Sequence, residues 1–130
     1  MEDDELEIMK IDLMGKIPPA VGDYRKKEVK DWKWMDFFYY FEDQYTKKIG
    51  GNRWVTVKQR NSKKKIIEQS YGFWGKDVFK AMIDWLFDNY KDYPQWNDIS
   101  LGLICGSHYW AKMIGENAKK QMELDKRWER

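Results

Sequence analysis

Cysteine is nearly absent from this chain. The single Cys105 excludes an internal disulfide and a cysteine-based zinc site, which suits a reducing cytoplasm. Long apolar runs are missing too, since none approaches the roughly 18 residues of a membrane span. The first seven residues are acidic, unlike the opening of a signal peptide. A cytoplasmic protein with no membrane partner is therefore expected. Valine and alanine are scarce, and eight Trp, eight Tyr and six Phe stand in their place. Each such ring buries about 150–250 Å², so a domain of 130 residues is expected to leave some aromatic surface uncovered.

Glycine and proline are few enough to act as punctuation. Pro18-Pro19 between Gly15 and Gly22 removes two backbone donors and fixes two φ angles. Residues 1–22 thus read as an acidic N-terminal arm and connector, with a short helix favoured within Met1–Met14. Residues 23–130 read as a single helical domain with a charged C-terminal helix. The expected class is all-α, four to six helices around a central buried helix at 76–91. That helix is legible because Phe79, Met82, Ile83, Leu86 and their apolar neighbours cover more than half its circumference. Asp77 is its expected N-cap, and Tyr93-Pro94 stops it.

A second helix runs from Asp31 towards Gly50-Gly51, with Trp34, Phe37, Phe38, Phe41 and Tyr45 on one face. Trp32, Tyr39 and Tyr40 fall on its other side among Asp36 and Asp43, which makes them the candidates for aromatics outside the main core; the favoured alternative is that the N-terminal arm or the last helix covers them. Thr56–Tyr71 admits two readings. It is a helix with a basic outer face, or a short β-hairpin at 54–69 built on the alternation of Trp54–Val57. The helix is favoured. The last helix carries a stripe of Trp110, Ile114, Ala118, Leu124 and Trp128, and its far end is free to serve a partner.

Acid is missing where base is densest. No Asp or Glu occurs from Gln44 to Ile67, while Lys47, Lys48, Arg53, Lys58, Arg60, Lys63, Lys64 and Lys65 all lie there. The net charge of +2 conceals this asymmetry. Such a run, with Trp54 interleaved as a stacking ring, is what neutralising a phosphate backbone requires. Lysine predominates, which favours backbone attraction over base reading. These nine residues are the candidate nucleic-acid contacts, with DNA placed ahead of RNA. A protein-docking alternative rests on Trp32, Tyr39 and Tyr40, since Trp and Tyr are favoured interface anchors. Asp84 and Asp88 join them as phosphate mimics.

Enzymatic signals are poor. His108 is the only histidine and follows Cys105 by three residues, with Gly106-Ser107 between them. Nucleophile and base normally sit on separate elements with a third orienting group. No P-loop, dinucleotide glycine pattern or HExxH is present. A non-catalytic protein with no cofactor and no metal is expected.

The order Trp32…Asp36-Phe37-Phe38…Phe41, Asn61-Ser62-Lys63, Ile66-Ile67…Tyr71-Gly72, Met82-Ile83-Asp84…Phe87 and Ile99-Ser100-Leu101-Gly102 resembles small helical accessory proteins carried by bacteriophages and mobile elements of low-GC bacteria. The resemblance spans roughly residues 32–106. It implies work in a bacterial host cell at nucleic acid or a host nucleoprotein complex, in replication, recombination or regulation. No catalytic or binding residue is carried over from it.

Overall fold

The structure, a computed structural model, describes the backbone of residues 8–11, 24–50 and 53–128, with side chains at 24–50 and 58–128. The class is all-α. Five helices are described: α1 (Trp34–Lys48), α2 (Val57–Asn61), α3 (Lys64–Trp74), α4 (Lys76–Asn89) and α5 (Tyr109–Trp128). Two short strands, β1 (Ile8–Ile11) and β2 (Arg53–Thr56), pair antiparallel with Ile8 opposite Thr56. No helix among the described residues is long and apolar enough to cross a membrane. The chain packs as two compact units, Met1–Glu68 and Gln69–Arg130.

In the first unit, α1 starts where the Asp36 carboxylate accepts the Lys33 backbone N–H at 2.8 Å, satisfying one of the donors a helix leaves open at its start. It ends at Gly50, whose φ of +98° is the left-handed conformation that glycine adopts without a Cβ clash. Phe37, Phe38 and Phe41 are fully buried, as the helical period requires. The other side of α1 is covered as well. Trp32 is only 3% exposed and Tyr39 only 1%, and Tyr40 is half-buried. Trp32 and Tyr40 are met by the segment before the helix, which forms two 3₁₀ turns at Tyr24–Lys26 and Val29–Asp31. Tyr24 meets Trp32 and Tyr40 edge-on, each at 5.4 Å between centroids. The Trp32 indole N–H donates to the Tyr24 carbonyl at 3.2 Å.

The same cover buries carboxylates. Asp36 holds Lys27 at 3.2 Å, and Asp43 accepts a hydrogen bond from the Tyr24 hydroxyl and pairs with Lys47 at 3.4 Å. These partners make burial tolerable for a charge that would otherwise be costly to desolvate.

One further expectation changes and one holds. Ile8–Ile11 is a strand where a short helix was favoured, whereas the favoured helical reading of 56–71 is present as α2 and α3 in place of the alternative hairpin at 54–69. Both outcomes have one origin. The strand read in Trp54–Val57 does exist, but its partner is β1 and not the following residues. The segment after it is free to coil into α2 and α3, where Ile67 and Ser70 are buried at helical spacing. The remainder of the acidic arm and connector, residues 1–7 and 12–22, lies outside the described residues.

In the second unit, α4 packs chiefly against α5. Phe79, Met82, Ile83, Leu86 and Phe87 are buried, so the expected buried helix is present from Lys76; it ends at Asn89, two residues before the expected end, and a 3₁₀ turn at Tyr90–Asp92 follows it. Asp77 is not the cap. Gly75, at φ +93°, precedes the helix and breaks the chain after α3, which leaves Asp77 in the first turn. The buried face of α5 is narrower than its apolar stripe. Ala111, Ile114, Gly115 and Ala118 are covered, whereas Leu124 and Trp128 are exposed.

Candidate nucleic-acid interface

The basic residues divide by what else they touch. Lys58, Lys63, Lys64 and Lys65 are exposed and make no ion pair among the described residues. They occupy α2, the turn after it and the first turn of α3. That turn contains no acidic side chain. Cations at a helix N-terminus oppose the helix dipole, at roughly 0.3–1 kcal/mol each. An anion there relieves both the dipole mismatch and the repulsion among the lysines.

Arg60 is held differently. Its Nη1 donates to the Tyr39 hydroxyl at 3.2 Å, and its Nε and Nη2 donate to Asn61 Oδ1 at 3.1 and 3.0 Å. The guanidinium also lies 6.0 Å from the Trp34 ring centroid. Three of five N–H groups are thus engaged, and Arg60 ties α2 to α1 while presenting the rest. Nothing in the local sequence signals this, because Tyr39 and Arg60 are far apart in the chain. Burial pushes the Tyr39 phenol above its usual range, with the hydrogen bond and charge of Arg60 opposing that rise.

Lys47 shares its ammonium with buried Asp43, which makes it a weaker candidate than its sequence neighbourhood suggests. Lys48 is exposed at the end of α1. Arg53 and Trp54 lie in β2, and their side chains fall outside the described residues. The basic set therefore has a core of four lysines, one anchored arginine and two peripheral lysines, all within the first unit.

The other candidates separate. Asp84 is half-buried and bridges to Lys80 at 2.9 Å, while Asp88 is exposed. Cys105 is buried, and the His108 Nε2 meets the Gly102 carbonyl oxygen at 2.7 Å. Among the described residues no three His, Cys, Asp or Glu side chains gather where they could hold a metal ion.

No protein-family model, no curated protein and no solved structure matches this chain.

Proposed function

We propose that the protein is a non-catalytic accessory protein that binds nucleic acid, DNA ahead of RNA, through Lys58 and Lys63–Lys65. Its setting is a bacterial cell, where it serves a phage or mobile element in replication, recombination or regulation. The observation that carries this reading is the set of exposed lysines that make no ion pair among the described residues, three of which, Lys63–Lys65, stand at the start of α3, where the helix dipole disfavours positive charge. A cluster kept only for solubility would gain from interspersed acids or a helix C-terminal position. Phosphate is the ligand that satisfies both the charge and the dipole. The protein-docking alternative loses support, because Trp32 and Tyr39 are buried and Asp84 is paired.

The test is fluorescence anisotropy of labelled DNA and RNA, single- and double-stranded, at about 50 and 200 mM salt. Two to four phosphate contacts imply a loss of about tenfold to a hundredfold over that interval. Reversal of Lys63, Lys64 and Lys65 to Glu is expected to abolish binding. No binding at the lower salt, or binding indifferent to this reversal, overturns the proposal.

A further inference from the structure

The second unit contains a pocket of about 270 Å³ that the basic segment does not explain. One wall is the C-terminal half of α3, where Gln69, Ser70, Phe73 and Trp74 share a face at i, i+1, i+4 and i+5. The opposite wall includes Ser107 and Lys112, at the start of α5. Phe73 is 78% exposed, an unusual position for a ring this large. It meets Trp74 edge-to-face, with centroids 5.1 Å apart at 90°.

Trp74 is fixed in place from behind. Gly115 lets its indole lie against α5, since a Cβ there would sit 2.3 Å from the ring. Lys119 places its ammonium 5.2 Å from the Trp74 centroid. The aromatic wall is thus braced by its own helix neighbour and by α5, and is not a loose surface side chain.

We propose that this pocket takes one unpaired nucleobase of a single-stranded nucleic acid, stacked on Phe73, with Lys112 at the adjoining phosphate. The volume is near the lower end for a small-molecule site, which suits a single planar group and excludes a peptide helix or a duplex. Among the described residues no carboxylate lines it, and Lys112 disfavours a cationic ligand. The Ser107 hydroxyl and the Gln69 amide supply donors and acceptors that a purely apolar guest would leave unmatched. A base offers a π-face to Phe73, polar edges to these groups and an anionic phosphate to Lys112. Stacking of this kind tolerates any base. The inference rests on the nucleic-acid reading above and adds to it the strand form.

The experiment is amide-resolved NMR of the full chain titrated with a thymidine pentanucleotide, with inorganic phosphate as control, alongside affinities for the pentanucleotide and a duplex. The pentanucleotide is expected to shift Ser70, Phe73, Ser107 and Lys112. Phe73→Ala, which removes an exposed ring and should leave the fold intact by circular dichroism, is expected to weaken pentanucleotide binding about 5- to 100-fold. Duplex affinity should stay within twofold, and Phe73→Tyr should restore stacking. Shifts confined to other residues, equal losses for both strand forms, or the same shifts from phosphate alone overturn the proposal. The Lys63→Glu/Lys64→Glu/Lys65→Glu protein separates the two readings. Pocket shifts that persist in it support the pocket independently. If that protein binds the pentanucleotide and duplex as tightly as the wild type does and the pocket still fills, the basic-cluster reading alone fails.

Discussion

Tyr39 couples burial to charge through one hydroxyl. With its ring only 1% exposed, burial holds the phenol protonated beyond the range of a solvated tyrosine, against the opposing hydrogen bond and charge of Arg60. An unfolded tyrosine ionises near pH 10. Because the folded pKa is higher, the stabilisation is fully present below about pH 10 and is lost as pH rises through the folded value. Thermal denaturation between pH 7 and 11 should show a steep alkaline loss that Tyr39→Phe makes shallower. At neutral pH the same substitution should cost about 0.5–1.5 kcal/mol for the lost hydrogen bond. An unchanged alkaline limb would show that other tyrosines govern it. What meets Tyr39 and Trp32 was not legible in the sequence. Helical periodicity placed them opposite the Phe37–Phe41 face, but Trp32 is met by Tyr24 from a turn that carries no period to read, and Tyr39 by Arg60, far along the chain.

The placement of charge on α3 sets stability against binding. Lys64→Glu or Lys65→Glu puts an acid in the first turn and should raise stability by about 0.3–1 kcal/mol through the dipole, measured by urea denaturation. The same variants should bind DNA less well. A gain in both would remove the reason for the lysines. On α5, Gly115→Ala should improve helix propensity by about 1 kcal/mol yet drive a methyl into Trp74. The substitution is therefore expected to be neutral or destabilising in the wild type and stabilising in a Trp74→Ala background, a sign reversal that a double-mutant cycle detects. Among the helices, α1 and α4 were legible because each carries a strong apolar face and ends at a glycine or a proline step. The strand Ile8–Ile11 was not, because four residues hold too little pattern and their partner lies far along the chain. The Glu116–Lys120 and Glu123–Arg127 pairs that the spacing on α5 offers are not formed. Gln121 bonds Asp125 at 3.0 Å instead, and exposed i,i+4 ion pairs contribute only about 0.3–0.5 kcal/mol.

For the whole molecule, the small net charge hides how unevenly charge is distributed. A net of +2 would give weak attraction to a polyanion, yet the first unit holds every cation of the acid-free stretch. The affinity for duplex DNA should follow salt with a log–log slope of about −2 to −4, and each of Lys58, Lys63, Lys64 or Lys65 changed to Gln should reduce its magnitude by about 0.9. Changing Lys47, already paired with Asp43, should reduce it less. The location of the candidate interface was legible from the missing acids alone. Its internal ranking was not, since the holding of Arg60 by Tyr39 and of Lys47 by a buried carboxylate depends on the tertiary fold. One feature of that fold also bears on how the chain is made. The register of β1 on β2 joins Ile8–Ile11 to Arg53–Thr56, so the first strand leaves the ribosome long before its partner exists. At about 5–20 residues per second the wait is on the order of seconds. Through that interval α1 can coil and shelter its rings, but the ribbon cannot close, so the earliest described segment of the chain is among the last in its unit to find its place.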